Sequence, residues 1–284
     1  MNITDEYWAY FLRVGADLTL FGGGFHGPIF KDGSFEFVPI PEDDADENYL
    51  KTFYGRFTYG NTVDRYRQYP FAQYIRDRKT KTNLLNKHMH PDPDFVNATY
   101  GDITKTKEGI SVSKAAALKY LIPGNLLVFC ASLDPYPSKE IERERALYII
   151  GYLEVKCVHD FFQKRTKEER WSICKKFRKR NAHCAWASYD EMSEHYFRNL
   201  VLVEGESCTL LDKAIQLTDE KYCILPHWTK EWGLRSTHFF RGGRWLPQKD
   251  RDDCLKRKGY VSRLRHVLGE YGKYHQQLTV RTAT

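Results

Sequence analysis

The chain has 284 residues, 42% of them hydrophobic and 15% aromatic, enough apolar material for a sizeable core and against general disorder. A formal charge of +7 favours an anionic partner without demanding one, because a modest excess of Lys and Arg also occurs on ordinary enzymes. Seven cysteines with no CxxC pair argue against a disulfide framework or a zinc finger, and no apolar run reaches membrane-spanning length, so a reducing cytoplasm and no membrane partner are expected.

Met1 to Tyr10 carries Asp5 and Glu6 beside Trp8 and does not read as a secretory signal. Tyr7 to Val14 reads as a strand that delivers the chain into Gly15-Ala16-Asp17 and the triple glycine Gly22-Gly23-Gly24, where backbone can approach a ligand closely. Asp32-Gly33 signals a tight turn, and the alternation that follows from Ser34 predicts a hairpin or strand pair ended by Pro39 and Pro41. Glu42 to Glu47 lacks apolar periodicity and reads as a solvated loop. Tyr49 to Lys87, rich in Tyr, Arg and Lys, is compatible with helices or with an ordered insertion.

A short helix is expected from Lys114 to Leu121, stopped by Pro123-Gly124, followed by two neighbouring buried strands at Leu126 to Ala131 and Leu147 to Val155. From Asp160 to Arg180, apolar residues at helical spacing are interleaved with nine basic ones, predicting a cationic amphipathic helix. Leu200 to Val203 reads as a strand, Gly205-Glu206-Ser207 as a turn and Leu210 to Ile215 as a helix, an order that places a helix N-terminus at a candidate anion site. With no repeat and no Pro/Gly/Ser-rich linker, residues 1–284 read as one α+β domain. Its architecture is expected to be a central mixed β-sheet flanked by helices, with a basic, aromatic extension over about residues 246–284.

Asp17, after a strand and before the glycine loop, is placed to orient water or to stabilise developing positive charge, and equally to cap a turn. The loop lacks both the Gly-Lys-Ser/Thr of a phosphate-binding loop and the GxGxxG order of a dinucleotide site, so no cofactor is expected. His88, His90, Asp92 and Asp94, followed by Tyr100 and Asp102, concentrate two imidazoles and three carboxylates within fifteen residues. These are metal-ligand residue types. The prolines make their directions unreadable and no HExxH helix is present, so hydrogen-bonding turns are the alternative and no bound metal is expected.

Lys175, Lys176, Arg178, Lys179 and Arg180 are candidates for contacts along a DNA backbone, or a solvated helix face. His183 is a candidate general acid or base-edge donor, or a structural histidine near a helix end, and Cys184 is a weak candidate nucleophile. From Arg235 to Trp245, cations alternate with aromatics around Gly242-Gly243, a composition that suits stacking on bases and gripping phosphates.

In five blocks the chain resembles the third type of nucleotide-modification-associated domain. They are Arg13-Val-Gly-Ala-Asp17 with Gly33-Ser-Phe-Glu-Phe-Val-Pro-Ile-Pro41; His90-Pro-Asp-Pro-Asp-Phe95 with Thr99-Tyr-Gly-Asp102; Leu121 to Phe129 with Tyr148 to Tyr152; Asn181-Ala-His183; and Val203-Glu-Gly-Glu-Ser207 with Lys213-Ala214. Asn125 stands where an Asp is usual after Pro-Gly, and a basic, aromatic insertion lies around Arg65 to Lys87. The resemblance implies processing of modified bases. Some members look like DNA glycosylases that remove glucosylated hydroxymethylcytosine as antiviral defence.

A glycosylase must extrude the nucleotide and stabilise an oxocarbenium-like sugar while water attacks. On that implication Asp17, Asp102 and His183 are the catalytic candidates. Arg13, Phe25, His90, Asp94, Tyr100, Asn181, Ser207, Arg241 and Arg244 are the substrate-binding ones, and the partner is DNA, expected to be double-stranded with modified bases. A non-catalytic reader of modified bases and a nucleotide-modifying transferase are the alternatives.

Overall fold

A computed structural model of the chain describes residues 9–15, 26–42, 47–61, 85–103, 106–107, 110–111, 115–136, 145–163, 166–232, 234, 244–246 and 254–271. In chain order the strands are β1 (Ala9–Arg13), β2 (Gly27–Ile29), β3 (Ile40–Pro41), β4 (Met89–His90), β5 (Thr99–Ile103), β6 (Thr106–Lys107), β7 (Ile110–Ser111), β8 (Leu126–Pro135), β9 (Ala146–Asp160), β10 (Leu200–Gln216) and β11 (Arg244–Leu246). The helices are α1 (Glu47–Leu50), α2 (Ala115–Leu118), α3 (Lys167–Phe177), α4 (Ala182–Ala185), α5 (His195–Arg198), α6 (Pro226–Trp232) and α7 (Cys254–Tyr271), with 3-10 turns at Tyr54–Arg56 and Asp190–Ser193.

Seven strands form one mixed sheet in the order β11-β1-β8-β9-β10-β5, and β2 also pairs with β8. β1 and β2 run parallel to β8, while the other pairings are antiparallel. The continuous apolar runs of β8 and β9 are buried on both faces, as expected of central strands covered on each side. This is the α+β architecture that the alternation and apolar runs predict.

The two faces carry different cores. Tyr100, Val201 and Val203 join the main core with Phe129, Leu153 and, from the helices, Trp232 and Leu264. Leu200 and Leu202 point the other way, into a second cluster with Phe161, Cys174, Phe177, Cys184 and Phe197 beneath α3 to α5. β5, at the end of the sheet, separates these two environments.

Three local expectations are corrected. The basic helix begins at Lys167, because Asp160 still belongs to β9 and its carboxylate accepts the Phe162 N–H at 2.9 Å in a turn. Thr166 starts the helix with a reciprocal capping box, its hydroxyl accepting from the Glu169 N–H while the Glu169 carboxylate accepts from the Thr166 N–H. The expected turn at Gly205 to Ser207 and helix from Leu210 to Ile215 are instead one strand of 17 residues. Register shifts at Glu204/Gly205, Gly205/Ser207 and Leu210/Ile215 bulge it against β9. A bulged strand and a helix turn space apolar residues alike over so short a window, and pairing with β9 decides between them. The candidate anion site at a helix N-terminus therefore falls away. Finally, the acidic stretch is not wholly solvated, since Glu42 is half-buried and bonded to His90.

The hairpin predicted at Asp32-Gly33 is present in miniature: β2 turns through these residues, with a single antiparallel bridge between Ile29 and Phe35. In the C-terminal part, β11 adds to the outer side of β1. α7 sends Val261, Leu264 and Leu268 into the main core, and its Arg265 donates to the Glu154 carboxylate at 2.9 Å and to the Gly124 carbonyl at 2.6 Å.

Candidate functional site

Short pairing of β3 with β4 sets Ile40 opposite His90, and the Glu42 N–H donating to the His88 carbonyl at 2.9 Å extends it. The chain then runs through Pro91-Asp92-Pro93-Asp94, turns back between Asp94 and Thr99, and enters β5. Asn181 caps α4, its amide oxygen accepting the His183 N–H at 3.0 Å, while its Nδ2 donates to the Thr99 hydroxyl at 3.3 Å. These links bring β4, β5 and α4 to one point at the end of the sheet.

At that point His183 Nε2 lies 3.0 Å from Asp92 Oδ2, 3.1 Å from the Gly101 carbonyl oxygen and 3.2 Å from His90 Nε2. Asp92 also accepts the Gly101 N–H at 2.9 Å. The far nitrogens are held too: His90 Nδ1 lies 2.6 Å from Glu42 Oε2, and His183 Nδ1 contacts the Tyr196 hydroxyl. Residue 101 has to be glycine, because a Cβ there would sit 2.4 Å from His183 Cδ2. Burial pulls the His183 pKa down, but the Asp92 hydrogen bond and the charges of Asp92, Asp102 and Glu42 outweigh it and raise the value above normal. Burial, with nearby carboxylates, pushes the Tyr196 hydroxyl well above its ordinary range. His90, Asp92 and His183 are all buried, and their ligand atoms lie within 4.8 Å of one another, a donor set of the kind that can hold a metal ion.

The segments that carry this cluster also line a groove of about 840 Å³. Phe53, Phe57 and Trp186 supply aromatic surface, Lys51, Arg56, Arg178 and Lys179 supply cations, and Asp94, Phe95 and Asn97 lie among them. Phe95 packs edge-on against Phe37 and Phe129 and passes over Gly151, where a Cβ would come within 2.6 Å of its ring. Asp94 is held by four donors: the Val96 and Asn97 N–H groups at 3.0 and 2.9 Å, the Asn97 amide at 2.8 Å and the Tyr54 hydroxyl at 2.6 Å. Burial nonetheless raises its pKa above normal, against the lowering effect of those donors.

The structure unites His90, His183 and Asn181, which the sequence reading singles out as site residues, with Asp92, which that reading counts only among metal-ligand types. It adds Glu42 and Tyr196, to which the sequence assigns no role. Asp92 stands in the same Pro-rich stretch as His90, so a signal exists for it. Tyr196 carries none, because only the packing of α5 beside α4 brings it to His183. Asp102 is elsewhere: it shares the face of β5 with Tyr100, whereas Gly101 faces His183. Tyr100 is packed on Phe129 in the main core and offers no stacking surface, which corrects its expected role against an extruded base.

Arg13 is buried over the Tyr222 ring, and Ser207 is exposed in β10 opposite Glu154. Neither borders the groove. Arg244 lies on β11, paired with Phe11, while Asp17, Phe25 and Arg241 lie outside the described residues. The five basic residues do not form one row. Lys176 and Arg180 reach Glu204 at 3.2 and 3.3 Å, Lys175 lies over Trp171, and Arg178 and Lys179 reach the groove. Cys184 is fully buried, and its hydrogen bond with Cys174 together with burial pushes the thiol well up, which removes it as a nucleophile.

A family model described as nucleotide modification associated domain 3 matches residues 9–261. No curated protein and no solved structure matches the chain.

Proposed function

The chain belongs to the nucleotide modification associated domain 3 family, and from that premise we propose that it takes a modified base of DNA into the groove and cleaves its N-glycosidic bond. The observation that carries binding is the groove itself. About 840 Å³ falls within the range of pockets that enclose a small-molecule-sized group, and aromatic walls beside four cations suit a base with its flanking phosphates. Phe53, half exposed, and Trp186 take the stacking role expected of Tyr100. Arg56, Lys51, Arg178 and Lys179 take the phosphates.

Cleavage requires negative charge near the sugar as it becomes cationic. Asp94 is the carboxylate that lines the groove, and it takes that role in place of Asp102, which faces the other side of β5. The family resemblance supports base removal as the reaction, with antiviral defence as its setting. A non-catalytic reader of modified bases is the second reading, and one observation favours it: both Asp94 oxygens already accept two hydrogen bonds each, leaving little capacity to activate water.

The experiment is incubation of the full chain with matched duplexes carrying cytosine, hydroxymethylcytosine or glucosylated hydroxymethylcytosine, scoring free base by mass spectrometry and abasic sites by alkaline cleavage. Release from modified DNA alone is the expected result. Tight, salt-sensitive binding to modified duplex without any release supports the reader and rejects cleavage.

A further inference from the structure

We propose that His90, Asp92 and His183 bind one divalent first-row transition-metal ion. Glu42 Oε2 stands 2.6 Å from His90 Nδ1, the geometry of an Nδ1–H donated to the carboxylate, and in the neutral ring this leaves a lone pair on Nε2. That lone pair points at His183 Nε2, 3.2 Å away. Around the same His183 atom stand Asp92 Oδ2 at 3.0 Å and the Gly101 carbonyl oxygen at 3.1 Å, both acceptors.

A proton on His183 Nε2 would have to serve three acceptors at once. If instead the His183 proton is on Nδ1, donated to the Tyr196 oxygen, four lone pairs face one another with none between them. A cation at the centre satisfies all of them.

The spacing agrees with this. Metal–nitrogen bonds of about 2.0–2.1 Å put neighbouring ligand atoms about 3.0 Å apart in octahedral and about 3.4 Å apart in tetrahedral geometry. The two separations from His183 Nε2, 3.0 and 3.2 Å, are of this size, and all three ligand atoms lie within 4.8 Å of one another. Glu42 behind His90 and Tyr196 behind His183 supply the outer hydrogen bonds that fix ring direction in metal sites, and the carboxylate–histidine pairing is the common form. Two imidazoles with one carboxylate suit zinc, iron(II), cobalt or nickel rather than magnesium or calcium, which prefer oxygen. The ion ties β4, the Asp92 turn and α4 together against β5. It is independent of the Asp94 groove chemistry.

The test uses the full chain, stripped with a chelator, dialysed and titrated with cobalt(II), with zinc as competitor. One equivalent of cobalt producing visible d–d absorption, displaced by one equivalent of zinc, is the expected result. His90→Gln and His183→Gln lose that uptake, whereas His195→Gln, an exposed position, keeps it. X-ray absorption of the zinc-loaded wild type gives the ligand identity without any variant, and two imidazoles in the inner shell are expected. Folded wild-type protein that takes up neither ion, uptake unchanged in both histidine variants, or an inner shell lacking imidazole each overturns the proposal.

Discussion

Replacing Gly101 with alanine is the sharpest structural probe of the His183 cluster. The added Cβ would lie 2.4 Å from His183 Cδ2 and 3.2 Å from its Nε2. To restore a carbon–carbon contact of about 3.5 Å, the ring has to retreat by about 1 Å. Such a shift disturbs the 3.0 Å contact with Asp92, because hydrogen bonds tolerate only a few tenths of an ångström of lengthening. It cannot be absorbed cheaply, because His183 is buried against Tyr196 on α5 and fixed by the Asn181 cap. Overpacking costs about 1–3 kcal/mol and a lost bond to a charged group about 1.5–3 kcal/mol, so a combined loss of about 2–4 kcal/mol is expected, less than the sum because the two share one displacement. Urea unfolding followed by circular dichroism measures it as a lower midpoint at unchanged slope. A Gly101→Ala variant within about 0.5 kcal/mol of wild type would refute the packing argument.

Glu204 is buried among Lys176, Arg180, Lys156 and His159, and although burial alone would raise its pKa, its bonds to Lys176, His159 and Arg180 hold it below the ordinary value. Its contribution to stability is therefore full above the unfolded glutamate value of about 4.3 and disappears as pH falls through the lower folded value. Glu204→Gln should lower the melting temperature at pH 7, by the equivalent of about 1–2 kcal/mol given the partly exposed cations, and the gap to wild type should close below about pH 4. A gap that widens on acidification would contradict the sign. Tyr54→Phe removes one donor to Asp94 and should cost about 1–2 kcal/mol in urea unfolding, with no loss expected if Asp94 were satisfied without it. Trp186→Ala should weaken binding to modified DNA by about 1–3 kcal/mol, and Arg56→Ala should reduce the salt slope by about one. Fluorescence anisotropy at several salt concentrations reads both, and unchanged affinity and slope would exclude the groove as the DNA site. Cys157 and Cys223 should react with a thiol reagent before Cys130, Cys174, Cys184 and Cys208, which are buried.

The parts of the fold legible in the sequence are those whose signal is local. β8 and β9 announce themselves as apolar runs, and β1 as a run of aromatic and aliphatic residues. β10 reads as three pieces because its bulges imitate a turn followed by helical spacing, and only pairing with β9 reveals one strand. At the candidate site, residue types are readable but directions are not. Tyr100 and Gly101 are neighbours, yet one enters the main core and the other supports His183, since strand side chains alternate. Lys176 and Arg180 look like free phosphate ligands until Glu204, more than twenty residues later, folds against them. Glu42 looks like solvated acid until β3 pairs with β4.

Asp92 and His183 meet across 91 residues of chain. During synthesis at about 5–20 residues per second, the first of them waits roughly 5–20 s before its partner is even made. Throughout that interval the His90–Asp92 loop, the groove segments beside it and the end of β5 have neither α4 nor β10 to rest on. A nascent chain arrested before α4 should therefore be sensitive to proteases around residues 88–103, and protection should appear late, once β10 has emerged to complete the sheet on which β5 pairs.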